Sequence, residues 1–232
     1  EIHERLVGSE MCIRDRRFIT DAGHELKTPL TIIEADTEVL EMDFGENEWL
    51  QDIKGQTKRL ADLTNTLVTL SRMEEGQNSN MKVDFPLSDV VEEVCHTFQA
   101  PAKVQKKNLD STIQPMISMK GDEKAIRGLV TILLDNAVKY TNENGQISVI
   151  LEKKKNRMYL SVFNTTEYIS KEQTSRLFDR FYRTDISRNS QTGGYGLGLS
   201  IAAATADSHK GKIMAETEDE KSLRITVTFP GQ

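Results

Sequence analysis

Apolar residues near the start of the chain recur at heptad spacing in two consecutive segments, which indicates helices that pack along a seam. The first segment, 17–44, carries Ile19, Ala22, Leu26, Leu30, Ile33, Leu40 and Phe44, with Thr37 as its one polar member. The second, about 48–75, carries Leu50, Ile53, Thr57, Leu60, Leu63, Leu67 and Leu70. Gly45 is predicted to end the first helix, so the two form an antiparallel hairpin. Because a lone hairpin leaves its seams exposed, we expect a two-fold dimer that forms a four-helix bundle.

His24 lies midway between two seam positions, Ala22 and Leu26, and therefore points away from the seam. It is followed directly by Glu25. Packing does not explain an exposed imidazole with an adjacent carboxylate, whereas a nucleophile with its own acid/base partner does. The chain has only four histidines, and we predict no special role for the other three, His3, His96 and His209.

The composition limits the classes of function. The chain has 232 residues and a formal net charge of −6, so bulk nucleic-acid binding is not expected. It has no apolar run near the roughly 20 residues of a membrane span, so we expect no membrane contact from this fragment. The two cysteines, Cys12 and Cys95, show no metal-ligand spacing, which fits a reducing compartment.

Strands and helices alternate irregularly from residue 81 onward, which predicts an α+β domain with helices on one side of a sheet. Helices are predicted from Pro86 to about Ala100, over Glu123–Tyr140, at about 171–177 and from about 195. Strands are predicted at Met81–Phe85, about 109–113, 116–119, Ile147–Lys153, Met158–Phe163, and near 211–217 and 223–229.

Three stretches of this second domain suit a phosphate ligand. The first runs from Gly193 to Leu199 and includes Gly194, Gly196, Leu197 and Gly198 before a helix-forming run. Glycines allow backbone N–H groups to approach an anion, and a helix N-terminus favours one. The spacing fits neither a P-loop nor a dinucleotide fingerprint, and a glycine-rich hinge without a ligand is the alternative.

The second stretch places Asn136, Lys139 and Tyr140 on one helix face at spacings of three and four. An amide oxygen, an ammonium and an aromatic ring suit Mg²⁺, phosphate and adenine respectively. In the third stretch, Leu177–Arg183, two phenylalanines anchor the segment and leave Arg180 and Arg183 for phosphates. Ordinary polar surfaces are the alternative for both.

Together and in this order, the stretches resemble the catalytic core of a sensor histidine kinase of two-component systems. The resemblance covers about residues 17–230. Phe18–Leu30 looks like the phosphoacceptor box and Asn136 with its neighbours like the N box. Phe178–Arg183 looks like the F box, and Gly194–Leu199 like the second glycine box.

The resemblance implies a dimerisation and phosphotransfer domain at 17–76 and an α/β sandwich of the GHKL ATP-binding type at 81–232. His24 would accept the γ-phosphoryl group of ATP, Glu25 would act as general base, and Asn136 would hold Mg²⁺. Lys139, Tyr140, Asn164, Arg180 and Arg183 would contact the nucleotide, while Gly194, Gly196, Leu197 and Gly198 shape a lid hinge.

The resemblance also implies partners and a location. Phosphohistidine would pass its group to an aspartate on the receiver domain of a response regulator, and Thr28 would orient a water for the reverse dephosphorylation. The fragment would be a cytoplasmic domain of a protein anchored in the cell membrane. Residues 7–16 resemble a translated sequencing adapter, so 1–16 is treated as non-native, with a native linker as the alternative.

Two positions depart from the family pattern. Asn164 stands where an Asp-x-Gly-x-Gly box has its aspartate, no glycine follows it, and Ile132 replaces the first asparagine of the N box. The amide oxygen of Asn164 can still accept a hydrogen bond from adenine, but as a neutral and weaker partner. These departures leave a second hypothesis, a catalytically inactive dimeric signalling module that has lost ATP binding.

Overall fold

The computed structural model describes residues 26–45, 47–183 and 196–231, apart from 75–82 and the side chains of 69–74. The chain forms two compact units, residues 1–78 and 79–232. His24, Glu25 and Gly194 lie outside the described residues.

The described part of the first unit is a helical hairpin. Helix α1 is continuous over residues 26–44, including Pro29, and α2 spans Glu48–Glu74. Gly45 ends α1 as predicted, because its φ of +77° suits glycine and its N–H donates to the Glu41 carbonyl at 2.9 Å. Across the turn, the Glu41 carboxylate pairs with Lys54 and accepts a hydrogen bond from Gln51.

Burial along the hairpin is incomplete. Leu30, Thr37, Thr57 and Thr64 are buried, while half of the described residues of the predicted seam are exposed to solvent. The exposed apolar side chains of the seam are Leu26, Ile33, Leu40, Phe44, Ile53 and Leu60. The hairpin by itself therefore does not cover the stripe that its sequence encodes.

The second unit is a five-stranded sheet with helices packed on one face. Its helices are α3 (Leu87–Val104), α4 (Glu123–Tyr140), α5 (Lys171–Arg176) and α6 (Gly198–Ser208). Its strands are β1 (Val83–Pro86), β2 (Asn108–Ile113), β3 (Ser118–Gly121), β4 (Gln146–Lys154), β5 (Arg157–Thr165), β6 (Lys212–Glu216) and β7 (Ser222–Pro230). The strand order in the sheet is β2-β4-β5-β7-β6, and β1 pairs with β3 separately.

Strand alternation fills the core between the sheet and the helices. Val149, Leu160 and Val227 point to the helix side and are buried, whereas their strand neighbours are half-buried. β2 and β4 are parallel and all other pairs are antiparallel. Because parallel neighbours need a long crossover, α4 lies between β2 and β4 in the chain and covers the sheet.

Helix α3 runs further than predicted. It passes Pro101 and ends at Val104, one turn beyond the expected end at Ala100. Ala102 is almost fully buried in the core, so packing outweighs the backbone hydrogen bond that a proline removes. Cys95 on the same helix is also buried, and burial, with the charge of Glu92, raises the pKa of its thiol to about 11.

Candidate nucleotide site

Four segments of the second unit carry the predicted nucleotide ligands: the end of α4, the end of β5, the residues after α5 and the start of α6. Helix α4 begins where the Asp122 side chain accepts a hydrogen bond from the Ala125 N–H at 3.0 Å. Its apolar face is buried against the sheet. That orientation leaves Asn136, Lys139 and Tyr140 half-buried on the other side.

Positive charge collects beside this end of α4. Lys139 lies with its ammonium 5.8 Å from the ring centroid of Tyr140. Burial lowers the pKa of Lys139, the charge of Arg183 lowers it further, and Asp135 opposes the shift. Lys139 and Arg183 come from different segments, so the fold brings two cationic groups within electrostatic range. Such a pair suits an anionic ligand.

Asn164 lies near the end of β5, on the face of the sheet that the helices cover. It is only 3% exposed, and its Nδ2 donates to the Thr165 carbonyl at 3.0 Å. Because this bond uses the amide nitrogen, Oδ1 is the acceptor that the side chain presents. No described residue donates to that oxygen.

A backbone hydrogen bond joins the F-box segment to the second glycine box. The Phe181 N–H donates to the Gly196 carbonyl at 3.0 Å, and both residues are in the left-handed region, with φ of +61° and +70°. A Cβ on Gly196 would lie 2.7 Å from the Tyr182 carbonyl oxygen, so only glycine fits this contact. Leu197 is buried and is the N-cap residue of α6, which begins at Gly198.

The remaining predicted residues have other surroundings. Arg180 is exposed, while Arg176, which was not predicted, stacks on the Tyr182 ring at 4.6 Å. Thr28 is exposed on α1, in the other unit. Ile132 packs against the core, and a Cβ on Gly198 would lie 3.4 Å from it. Where the family pattern has the first asparagine of the N box, this chain therefore has an isoleucine that lies at the contact between α4 and α6.

The described residues contain no group of three or more His, Cys, Asp or Glu that could hold a metal ion. Mg²⁺ keeps several waters and is commonly bound through one or two protein oxygens together with substrate phosphates. The half-buried Asn136 fits that mode of binding, in which the nucleotide completes the coordination.

Comparison with known proteins identifies the family. Residues 14–76 match the His Kinase A (phospho-acceptor) domain, and residues 121–232 match the histidine kinase-, DNA gyrase B- and HSP90-like ATPase domain. The chain belongs to the sensor histidine kinases.

Several sensor kinases resemble this one along nearly its whole length. The sensor protein DltS of Streptococcus agalactiae is 36% identical over 220 residues, which cover 94% of this chain and 54% of DltS. The sensor histidine kinase YkoH of Bacillus subtilis is 33% identical over 225 residues, which cover 94% of this chain and 48% of YkoH. This histidine kinase chain therefore spans about half the length of the curated relatives it matches.

Solved structures agree on the fold. The Acinetobacter baumannii histidine kinase AdeS aligns with a TM-score of 0.63 and 26% identity, covering 89% of this chain and 97% of AdeS. Full-length ShkA in complex with AMPPNP aligns with a TM-score of 0.77 over 92% of this chain and 45% of ShkA. At 20% identity, ShkA supports the fold alone. The predicted architecture, a helical hairpin with a GHKL-type ATPase domain, is confirmed. No helix among the described residues of this kinase is long and apolar enough to cross a membrane.

Proposed function

We propose that this chain is the kinase core of a two-component sensor. It transfers the γ-phosphoryl group of ATP to His24, and the phosphohistidine then passes the group to an aspartate on a response regulator. Glu25 draws the proton from one ring nitrogen so that the other attacks. Residues 17–76 form the dimerisation and phosphotransfer domain, and residues 81–232 form the catalytic domain.

The observation that carries this proposal is that half-buried Lys139, one turn beyond Asn136 on α4, lies within electrostatic range of Arg183 from a separate segment. Burial destabilises the charged form of Lys139, and a polyphosphate that binds beside Lys139 and Arg183 offsets that cost. Phosphoryl transfer depends largely on such positioning and charge stabilisation. Asn136 adds the oxygen ligand that Mg²⁺ needs beside the phosphates.

The other predicted site residues take complementary roles. Asn164 accepts from the adenine amino group through Oδ1, and Tyr140 packs against the base. Arg180 provides a further contact to the phosphates. Gly194, Gly196, Leu197 and Gly198 shape the hinge of the loop that covers the nucleotide.

Thr28 supports a second activity, dephosphorylation of the response regulator. It follows His24 by four residues in the sequence, a spacing that would place the two on one face of a continuous helix, and Thr28 is exposed on α1. Its hydroxyl orients a water toward the phosphoaspartate. A Thr28→Ala variant is expected to keep autophosphorylation and to lose most of the dephosphorylation of a phosphorylated partner regulator.

Autophosphorylation is tested with the chain, Mg²⁺ and γ-labelled ATP, beside His24→Ala. The exposed His96 on α3 provides a matched control as His96→Ala. We expect acid-labile label on the parent and on the control, and none on His24→Ala. Label that persists on His24→Ala would refute the assignment of the phosphoacceptor.

The alternative function, an inactive signalling module, is favoured by the missing glycines after Asn164. A binding measurement with a fluorescent ATP analogue separates the two functions. If the parent neither gains phosphate label nor binds nucleotide, the chain is an inactive signalling module. If it binds nucleotide and gains label on His24, it is an active kinase.

A further inference from the structure

His209, at the end of α6, uses both nitrogens of its imidazole. Nε2 accepts a hydrogen bond from the Asp122 backbone N–H at 3.0 Å, and Nδ1 lies 2.8 Å from the Thr205 carbonyl oxygen. Since a carbonyl only accepts and Nε2 is itself an acceptor, Nδ1 is the donor to Thr205. The imidazole thus joins the last turn of α6 to the residue that caps α4.

The surroundings of the ring are fitted closely to it. Gly121 lies against its edge: a Cβ there would be 2.5 Å from Cδ2 and 2.8 Å from Nε2. On another side the Phe229 ring meets it edge-on, with 6.5 Å between centroids. Gly121 leaves the space that allows Nε2 to reach the Asp122 N–H.

The two helices that His209 joins are those that carry the nucleotide site. Helix α6 packs on α4, and its small side chains Ala202 and Ala206 are buried in the core. At its other end, Gly198 comes close to Ile132, one turn before Asn136. The spacing of α4 and α6 is therefore set at one end by His209 and at the other by Gly198.

We propose that His209 is a positioning residue for nucleotide binding, which holds α6 against α4 so that Asn136 and the glycine hinge keep their separation. This inference rests on the proposed nucleotide site. The residue touches no reacting atom, and its effect passes through the packed pair of helices.

The test compares three variants of the whole chain. His209→Phe keeps an aromatic ring but removes both nitrogens, whereas His209→Gln places an amide oxygen where Nε2 accepts. Gly121→Ala leaves His209 intact but pushes its ring away from Asp122. His96→Phe, on the exposed face of α3, is the matched control.

Two quantities are measured: the dissociation constant for Mg²⁺-ADP, and amide hydrogen exchange without nucleotide. We expect His209→Phe and Gly121→Ala to weaken binding about tenfold and to speed exchange around Ile132 and Asn136 by a similar factor. Exchange in α3 and in the β4–β5 pair should stay unchanged. His209→Gln should restore most of the binding.

Several results would overturn the inference. A uniform rise in amide exchange across the second unit would mean that His209 only stabilises the fold. If His209→Gln bound Mg²⁺-ADP as weakly as His209→Phe, the hydrogen bond accepted by Nε2 would not be what positions the helices. Absence of binding by the parent would instead refute the proposed function. The exchange pattern, which needs no nucleotide, would still decide whether His209 holds the two helices together.

Discussion

At the scale of single residues, the proposed nucleotide site depends on how Asn164 is oriented. Its amide donates to the Thr165 carbonyl, so the oxygen is available to a base that carries an amino group. An aspartate at this position has no hydrogen to donate to that carbonyl. The neutral amide therefore fits this particular backbone better than the carboxylate that the family pattern expects.

Replacing Asn164 by aspartate should destabilise the empty protein. A charge would be introduced at a site that is 3% exposed, facing the Thr165 carbonyl oxygen, at an expected cost of about 1–3 kcal/mol. Thermal unfolding with and without Mg²⁺-ADP checks this, because a charged acceptor for adenine should recover part of the loss. An Asn164→Asp variant with the parental Tm in both conditions would contradict the proposed orientation.

Lys139 should make nucleotide affinity fall at alkaline pH. In the proposed site the protonated ammonium binds phosphate, and its pKa is lowered from the ordinary 10.5 by burial, so the charge is lost at a lower pH than in a solvated lysine. Titration of the dissociation constant for Mg²⁺-ADP from neutral to alkaline pH measures the decline. Lys139→Arg should shift it to higher pH, because guanidinium stays charged. If the arginine variant declines over the same pH range as the parent, another group is responsible.

At the scale of elements, a backbone hydrogen bond between Phe181 and Gly196 joins the two stretches of chain that flank residues 184–195. The Phe181 N–H and the Gly196 carbonyl form it with both residues at positive φ. Glycine adopts that conformation easily and phenylalanine does not. The strain at Phe181 is thus maintained by the contact it makes.

A Gly196→Ala substitution should break this connection. The added methyl would meet the Tyr182 carbonyl at 2.7 Å in a strained conformation, at a cost of about 1–3 kcal/mol. Faster amide exchange at Phe181 and weaker nucleotide binding are the expected results. Gly128→Ala on α4 is the control, since its methyl would meet nothing within 4 Å and its φ is not positive. Equal effects of the two alanines would rule out a special role for Gly196.

Sequence reasoning succeeded where local patterns decide the structure. Helix α4 has the predicted bounds, because Asp122 caps an uninterrupted apolar period and Thr141 follows it outside the helix. It failed where tertiary packing overrides a local signal, as at Pro101. His209 gave no signal at all, because its partner Asp122 is 87 residues away and contributes only a backbone N–H.

At the scale of the whole molecule, the two units bury their apolar residues to different extents. The second unit encloses a core that includes Leu133, Leu160 and Phe229. The hairpin leaves Ile33 42% and Leu60 51% exposed. A second copy of the chain would cover that stripe and complete a four-helix bundle.

Placing a charge on the stripe should therefore prevent dimerisation. Ile33→Asp or Leu60→Asp should turn a dimer into a monomer at micromolar concentration, as measured by light scattering after size-exclusion chromatography. Val39→Asp is the matched control, because Val39 is 56% exposed but lies off the predicted seam. A dimer that survives both seam substitutions would show that another surface holds the two copies together.

The buried thiol of Cys95 has a practical consequence for following this molecule in solution. With its pKa raised to about 11 and its side chain enclosed in the core, it reacts with alkylating reagents only when the second unit opens. In a Cys12→Ser background, the rate of Cys95 labelling at neutral pH should report how often the second unit opens. Saturating Mg²⁺-ADP should slow this labelling, because a ligand that binds the closed state stabilises it. Rapid labelling of the native protein would contradict this expectation. Alkylation of Cys95 can thus measure conformational opening of the kinase without a cysteine being introduced into its sequence.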